Sequence, residues 1–398
     1  MDILYEFQDS LLAQTTDDFF RYLIDEINWN QRMLAIKGPR GTGKTTMILQ
    51  YIKYRLQKPR EQALYITADH YWFYTHNLVE TADTFYKNGG RYLFIDEVHK
   101  YPHWSRELKN IYDGYPQLRI VFSSSSALDI YRGEADLSRR VITYELPGLS
   151  FREFLVLQGF TDMQAYKWTD ILKKHVSISG HIKEQLQPLP WFKKYLQWGY
   201  LPLFVESSDA DIPLRLSQTI NTIIETDLSY AESYTVATAF KIKKLLGVLA
   251  ELAPFKPNVA ALSRKMDVGR EYIYAWLQHL QRARLLNLLH ADNKGVSALQ
   301  KPDKIYLENP NLAFALKATP ETGNIRETFL LNQLVNMKYT VSLPDSGDFK
   351  VHDTIVEVGG KSKTAAQVKR KGKYIIAADE IETGIGSKIP LWLFGMMY

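Results

Sequence analysis

Gly38-Pro39-Arg40-Gly41-Thr42-Gly43-Lys44-Thr45-Thr46 decides how the rest of this chain is read. The nine residues fit the spacing G-x-x-x-x-G-K-[ST]. Before them runs an apolar stretch, Met33-Leu34-Ala35-Ile36, with strand character. After them, Thr46-Met47-Ile48-Leu49-Gln50-Tyr51-Ile52 has apolar residues at helical spacing, at Ile48, Leu49 and Ile52. A strand that turns through glycines into a helix start is an anion site. Backbone N–H groups of the loop point inward, and the positive end of the helix dipole favours negative charge. The pattern predicts that Gly38 to Thr46 cradle nucleotide phosphates, with the Lys44 ammonium at the β- and γ-phosphates and the Thr45 hydroxyl on Mg²⁺. A glycine-rich turn with a chance lysine is the alternative, and the flanking strand and helix speak against it.

Working outward, residues 15–27 read as a capped amphipathic helix. Further short apolar runs follow the loop: Ala63-Leu64-Tyr65-Ile66-Thr67, Arg91-Tyr92-Leu93-Phe94-Ile95-Asp96-Glu97, Leu118-Arg119-Ile120-Val121-Phe122 and Val141-Ile142-Thr143-Tyr144-Glu145-Leu146, with a helix near 103–114. Apolar strands alternating with helical stretches predict an α/β domain with a parallel sheet covered on both faces. Ligands of such sheets sit at the carboxyl ends of the strands. There the third strand ends on Asp96 and Glu97, and the fourth on Ser123-Ser124-Ser125-Ser126. Asp96 is placed to hold Mg²⁺ opposite Thr45, and Glu97 to polarise the water that attacks the γ-phosphate. Of the serines, Ser123 is the candidate for a hydroxyl beside that phosphate. His99 and His103 flank the site and receive no role.

The 398 residues suffice for two to four domains. The chain contains no cysteine, which excludes disulfides, thiolate metal sites and thiol catalysis. No apolar run approaches the roughly 18 residues of a membrane span. The N-terminus is acidic and lacks the basic region of a signal peptide, so the cytoplasm is the expected compartment and no membrane partner is expected. A net charge of +5 permits nucleic acid as a partner without requiring it.

The phosphate loop, Phe94-Ile95-Asp96-Glu97, the serine-ended strand, and Leu137-Ser138-Arg139-Arg140-Val141 followed by Leu149-Ser150-Phe151-Arg152-Glu153-Phe154 together resemble a prokaryotic family of predicted AAA+ ATPases. That family carries a C-terminal domain of unknown function, and the resemblance covers essentially the whole chain. It implies a P-loop ATPase core with Walker A and Walker B motifs at 1–149, a helical lid at 150–235, a winged helix at 236–318 and a small nuclease-like α/β domain at 319–398. ATP and Mg²⁺ are the implied cofactors. The family usually has Gly-Arg where this chain has Arg139-Arg140, so Arg140 matches the family arginine. Arg140 stabilises transition-state charge, in cis or from a neighbouring subunit, or else forms an ion pair unrelated to phosphate; both readings stand at this point.

From 150 to about 234 the pattern is helical, over 151–157, 162–175, 191–197 and 213–228, broken at Gly199-Tyr200-Leu201-Pro202. The family has a second glycine where Tyr200 stands. Beyond it, helices over 238–252, 258–266 and 270–285 suggest a helix-turn-helix, with the turn at Asp267-Val268-Gly269. Strands at 286–290 and 304–307, joined through Asn293-Lys294-Gly295, would supply a wing. If the module binds DNA, Arg264, Lys265, Arg270, Arg282, Arg284 and Lys294 contact phosphates and Tyr272 or Tyr274 reaches the groove. Otherwise it serves packing alone.

In the last segment Glu327 lies beside a helix over 328–334, and Gly347 to Val351 pairs with Thr354 to Val358 as a hairpin turned at His352-Asp353. Glu327, Asp348, Glu357 and Lys361 resemble the site of restriction-endonuclease-like folds, where carboxylates hold metal ions and a lysine assists. Those sites want Glu-x-Lys on one strand face, whereas here two glycines displace the lysine to Lys361, and a loop would have to swing Lys361 or Lys363 back. The expectation is a nuclease-like fold with weak or no cleavage, kept as a docking or nucleic-acid-binding platform. The basic stretch 361–373 suits a phosphate backbone. The functional expectation is a Mg²⁺-dependent ATPase coupling nucleotide state to nucleic-acid or protein binding, with oligomerisation possible. The rivals are a slow nucleotide switch and an ATP-gated nuclease.

Overall fold

Alternate residues of Met33-Leu34-Ala35-Ile36 enter opposite cores, Met33 and Ala35 on one side and Leu34 and Ile36 on the other. That is the signature of a strand with period two covered on both faces. The computed structural model describes residues 1–124, 137, 139–205, 207, 208, 210–229, 234–291, 301–317, 319–364 and 372–398. The chain divides into two compact units, Met1–Pro147 and Gly148–Tyr398. No helix among the described residues is long and apolar enough to cross a membrane.

In the first unit β1 (Met33–Lys37), β2 (Ala63–Thr67), β3 (Tyr92–Asp96), β4 (Arg119–Ser124) and β5 (Ile142–Glu145) form a parallel sheet ordered β2-β3-β4-β1-β5. Helices Lys44–Gln50, Leu78–Lys87 and Trp104–Gly114 alternate with these strands. The Leu78–Lys87 helix starts on a capping box, with the Asn77 side chain on the Glu80 N–H and the Glu80 side chain on the Asn77 N–H.

The helix expected over 15–27 is confined to Leu23–Glu26. Its backbone carbonyls have other partners. The Gln50 side chain donates to Thr16 O and Phe19 O at 3.0 and 2.7 Å, and Lys53 and Tyr54 both donate to Thr15 O. Side-chain donors of the helix after the phosphate loop thus replace the i→i+4 ladder. A helix that the sequence pattern did not announce runs instead over Asp2–Gln14. It covers the edge strand β2, where the buried Gln8 side chain accepts the Tyr65 N–H at 2.6 Å.

The second unit holds helices Phe151–Leu157, Trp168–Lys183, Pro188–Lys194, Ile212–Thr222, Val236–Leu252, Val259–Met266, Arg270–Arg282, Pro310–Leu316 and Thr322–Asn336. The helix expected over 162–175 begins only at Trp168. Before it, the Met163 carbonyl accepts from Arg152 and the Tyr166 N–H donates to Met396 O, which holds that stretch extended. The Arg270–Arg282 helix stops short of 285 because Arg284 takes a left-handed backbone, φ 59°. Strands β6 (Leu286–Leu289) and β7 (Lys304–Leu307) pair antiparallel. The loop carrying Asn293, Lys294 and Gly295 lies outside the described residues.

A second sheet, ordered β12-β11-β10-β9-β8, is built from β8 (Val341–Ser342), β9 (Phe349–Val351), β10 (Thr354–Gly359), β11 (Lys373–Ala378) and β12 (Lys388–Pro390). β9 and β10 form the expected hairpin, while β10, β11 and β12 run parallel. The helix expected over 328–334 extends over Thr322–Asn336, and its polar Asn332, Gln333 and Asn336 are buried.

Those amides belong to a network that ties the three segments of this unit together. Glu308, 1% exposed, accepts from Tyr200 OH at 2.9 Å and from Asn332 Nδ2 at 3.0 Å, and lies 3.5 Å from Arg284. Asn311 accepts the Tyr200 N–H and donates to Tyr195 O and Leu196 O. Gln333 donates to Tyr195 OH and Asn336 to Tyr200 OH. Tyr200 fits because its ring lies against Gly148, where a Cβ would come within 2.4 Å of it.

Candidate functional site: the phosphate loop and the strand ends around it

The loop leaves β1 at Gly38, whose missing side chain matters: a Cβ there would lie 2.2 Å from Leu146 O. Gly41 and Gly43 take left-handed backbones, φ 81° and 87°, which glycine adopts without penalty. Lys44 begins the following helix and is 6% exposed. Its ammonium donates to Gly38 O and Pro39 O, both at 2.9 Å, inside the ring of the loop. Thr42 Oγ1 donates to Pro39 O at 3.0 Å. Beneath the loop the buried Arg21 guanidinium donates to Thr42 O and, at 2.8 Å, to Pro147 O. Arg21 was not singled out from the sequence. It sits in a stretch that reads as helix, and only its burial marks it.

Thr45 and Asp96 meet across the site, with the hydroxyl donating to Asp96 Oδ2 at 2.5 Å. Tyr65 OH donates to the same oxygen at 2.8 Å, and Ser123 Oγ donates to Asp96 Oδ1. Burial and the Asp96 charge raise the Tyr65 phenol well above its ordinary pKa, so it stays a neutral donor. Ser123, fully buried, is directed at Asp96 and also accepts the Glu97 N–H at 3.0 Å. It therefore orients the carboxylate from the end of β4. Ser124 is buried as well, 3.4 Å from His99 Nδ1. Ser125, Ser126 and Ser138 lie outside the described residues.

Glu97 leaves β3 with φ 51° and ψ 41°, and its carboxylate lies 2.6 Å from the Lys100 ammonium. Burial alone would push Glu97 up, but Lys100 outweighs it, helped by His99 and Arg40, and the carboxyl is held below its usual range. Lys100 also pairs with Asp69, just past β2, at 2.5 Å. Arg140 makes a bidentate pair with Asp113 through Nε at 2.9 Å and an NH₂ group at 3.0 Å. Hard cations favour oxygen ligands, and the Thr45 hydroxyl beside the Asp96 carboxylate is such a donor set for Mg²⁺.

In the second unit Glu327 and Glu357 lie near enough to Asp348 for their charges to act on it, but each carboxylate already has a partner. Glu327 Oε2 lies 2.7 Å from Lys304 Nζ and accepts from Tyr306 OH at 2.9 Å. Asp348 Oδ2 accepts the Val358 N–H at 2.7 Å. The lysine that reaches Glu357 is Lys363, at 2.6 Å, and not Lys361, which is exposed. Lys363 gets there because its side chain lies across Gly359, where a Cβ would be 2.7 Å from its Cγ. Burial, then the Glu327 charge, raise Asp348 to about 6, against the Val358 N–H bond; Glu357 adds to the rise and Lys304 opposes it. Among the described residues no group of three or more Asp, Glu or His side chains is arranged to hold a metal ion.

On the helix-turn-helix segment Arg264, Lys265, Arg270, Arg282 and Tyr272 are exposed, while Tyr274 is half-buried. Arg284 does not belong with them. It is turned inward onto Glu308 and Asn336, which removes it from any phosphate backbone. Of the basic stretch, Lys361, Lys363 and Lys373 are described, while Lys369, Arg370 and Lys371 lie outside the described residues.

A family model described as an AAA domain matches residues 30–155, and one described as a domain of unknown function (DUF8612) matches residues 189–322. An uncharacterized protein of Methanocaldococcus jannaschii is 24% identical over 290 residues, 70% of this chain and 61% of that relative, so the chain spans less than two thirds of its length. Among solved structures, a Walker-type ATPase of Pyrococcus abyssi aligns over 76% of this chain and 97% of its own, at 11% identity and a TM-score of 0.45. The ADP complex of Hsp104 from S. cerevisiae aligns over 70% of this chain and 39% of its own, at 14% identity and a TM-score of 0.27. The AAA-domain match covers the glycine loop, β1 to β5 and the strand-end carboxylates, and on that ground the first unit of this chain is a P-loop domain of the AAA+ ATPases.

Proposed function

We propose that the chain is a Mg²⁺-dependent ATPase whose nucleotide state alters the binding of nucleic acid or a protein by its second unit. The observation that carries this reading is the Thr45–Asp96 pair at 2.5 Å beside a glycine loop closed on Lys44. Thr45 and Asp96 would hold Mg²⁺, which when bound neutralises charge on the phosphate oxygens. Lys44 exchanges the carbonyls of Gly38 and Pro39 for phosphate oxygens, as a cation already inside the loop. Tyr65 and Ser123 keep the Asp96 carboxylate oriented by donating to its two oxygens. Glu97, deprotonated at neutral pH, accepts the proton of the water that attacks the γ-phosphorus, while the bond to the β-phosphate oxygen breaks to give ADP and phosphate.

The exposed Arg264, Lys265, Arg270 and Arg282, with Tyr272 among them, support nucleic acid as the partner, contacted through phosphates. Cleavage by the C-terminal sheet is not part of this reading, because lysines already partner Glu327 and Glu357.

The test is steady-state ATP turnover by the full chain with Mg²⁺, alone and with single- and double-stranded DNA and RNA. Lys44→Ala is expected to abolish ATP binding. Glu97→Gln is expected to keep binding and to lose hydrolysis by about a hundredfold or more. Glu97→Gln turning over at the parent rate would remove the role given to Glu97. Tight binding with scarcely any turnover would make the protein a nucleotide switch. Turnover indifferent to every nucleic acid would assign the second unit to a protein partner.

A further inference from the structure

Glu97 needs a reason to point where it does, since it leaves β3 through a left-handed backbone that non-glycine residues seldom adopt. Its N–H is fixed by Ser123 Oγ at 3.0 Å and Asp96 Oδ1 at 3.1 Å. The next residues, Val98–Lys100, close a single tight turn, with the Lys100 N–H on Glu97 O at 2.9 Å. That turn brings the Lys100 side chain back over Glu97, where its ammonium meets Oε2 at 2.6 Å. On its other side the ammonium meets Asp69 Oδ2 at 2.5 Å, and Asp69 Oδ1 accepts from Thr67 Oγ1 at 2.5 Å. Thr67 ends β2 opposite Asp96, which ends β3. The ammonium therefore bridges the carboxyl ends of two neighbouring strands.

We infer that Lys100 is a positioning residue for hydrolysis: anchored by Asp69, it holds the Glu97 carboxylate through Oε2 and leaves Oε1 to take the proton of the attacking water. The inference rests on the ATPase reading above. A glutamate side chain has several rotatable bonds and would otherwise sample many positions, and a reacting group displaced by about 1 Å can lose on the order of a hundredfold in rate. Here the backbone of Glu97 is held from β4, through Ser123, and its side chain from β2, through Asp69 and Lys100. Neither Lys100 nor Asp69 is needed to grip the phosphates, a task that falls to the loop and Lys44. The consequence for the kinetics is specific. Removing Lys100 should impair the chemical step and spare nucleotide binding.

The experiment compares the full-length parent with Lys100→Met, Lys100→Arg, Asp69→Asn, the Lys100→Met/Asp69→Asn pair and Glu97→Gln. It measures kcat and KM for Mg-ATP together with equilibrium ATP affinity. Lys100→Met is expected to lower kcat about tenfold or more, with KM and affinity within about twofold of the parent. Lys100→Arg should recover most of the loss, because a guanidinium can span the same two carboxylates. Asp69→Asn should lower kcat less, and the double variant should be no slower than Lys100→Met, since Asp69 acts through Lys100. A parent-level kcat in Lys100→Met, with Glu97→Gln slow in the same assay, would overturn this inference alone. So would affinity falling in step with kcat, which marks a merely structural role. A parent without turnover, or Glu97→Gln as fast as the parent, would remove the ATPase reading and this inference with it.

Discussion

Asp348 carries the clearest pH signature at the level of single residues. Its carboxyl is raised from 3.8 to about 6, first by burial and then by the Glu327 charge. A group whose folded pKa lies above its unfolded one lends stability that is complete below the unfolded value and lost as pH rises through the folded value. Asp348 therefore costs the second unit stability between about pH 4 and pH 6. Asp348→Asn keeps an acceptor for the Val358 N–H and removes the titration. Denaturant unfolding should show the variant gaining on the parent as pH rises through that window, by at most about 2–3 kcal/mol, with no further change above it. Legibility at this scale followed chemistry. Lys44, Thr45, Asp96 and Glu97 stand at fixed offsets within short motifs, so the sequence names them. Tyr65 and Lys100 act on Asp96 and Glu97, and Arg21 on the loop at Thr42, from other strands and turns, and nothing in their immediate neighbours distinguishes them from core tyrosine or surface charge. Lys363 was displaced in the reading for a similar reason: the path that Gly359 opens for its side chain is a contact, not a spacing.

Among the elements, the helix Arg270–Arg282 and the end of Val259–Met266 carry the exposed cations that the functional reading assigns to phosphate. If Arg264 and Arg270 each neutralise one phosphate, the log–log dependence of DNA affinity on salt should flatten by about 1.8 in the Arg264→Ala/Arg270→Ala variant. A salt titration of fluorescent DNA measures this, and a slope unchanged by the pair would return these helices to packing. The five strands of the first sheet were legible because each is a short apolar run between polar turns. Helices were read less well wherever polar residues do inner work. Buried polar Asn336 lies in the last turn that the pattern left off the Thr322–Asn336 helix, and the carbonyls claimed by Gln50, Lys53 and Tyr54 undid a helix that the pattern at 15–27 favoured.

For the whole molecule, the division into four parts read from the sequence meets two compact units, and Glu308 is one group shared by all of the later three. It is a buried carboxylate shared by Tyr200, Asn332 and Arg284, one from each of the segments 150–235 and 319–398 and one from its own. Removing one member of a buried charged network costs about 3–5 kcal/mol, because its partners stay buried without it. Calorimetry of Glu308→Ala should show the transition of Gly148–Tyr398 shifted down as a single peak, with that of Met1–Pro147 unmoved. Separate melting of the C-terminal sheet in the parent would contradict the shared network.

The same network bears on how such a chain can be rearranged over time. A gene fusion that joined a foreign C-terminal segment at about residue 319 would inherit Tyr195, Tyr200 and Glu308 without the amides that answer them. A fragment starting there would carry Asn332, Gln333 and Asn336 away from their partners. Shuffling at that seam is penalised from both sides, whereas a crossover near Gly148 leaves this set of hydrogen bonds whole. The portable piece is the full run from Gly148 onward, so the C-terminal sheet travels with its helices or not at all.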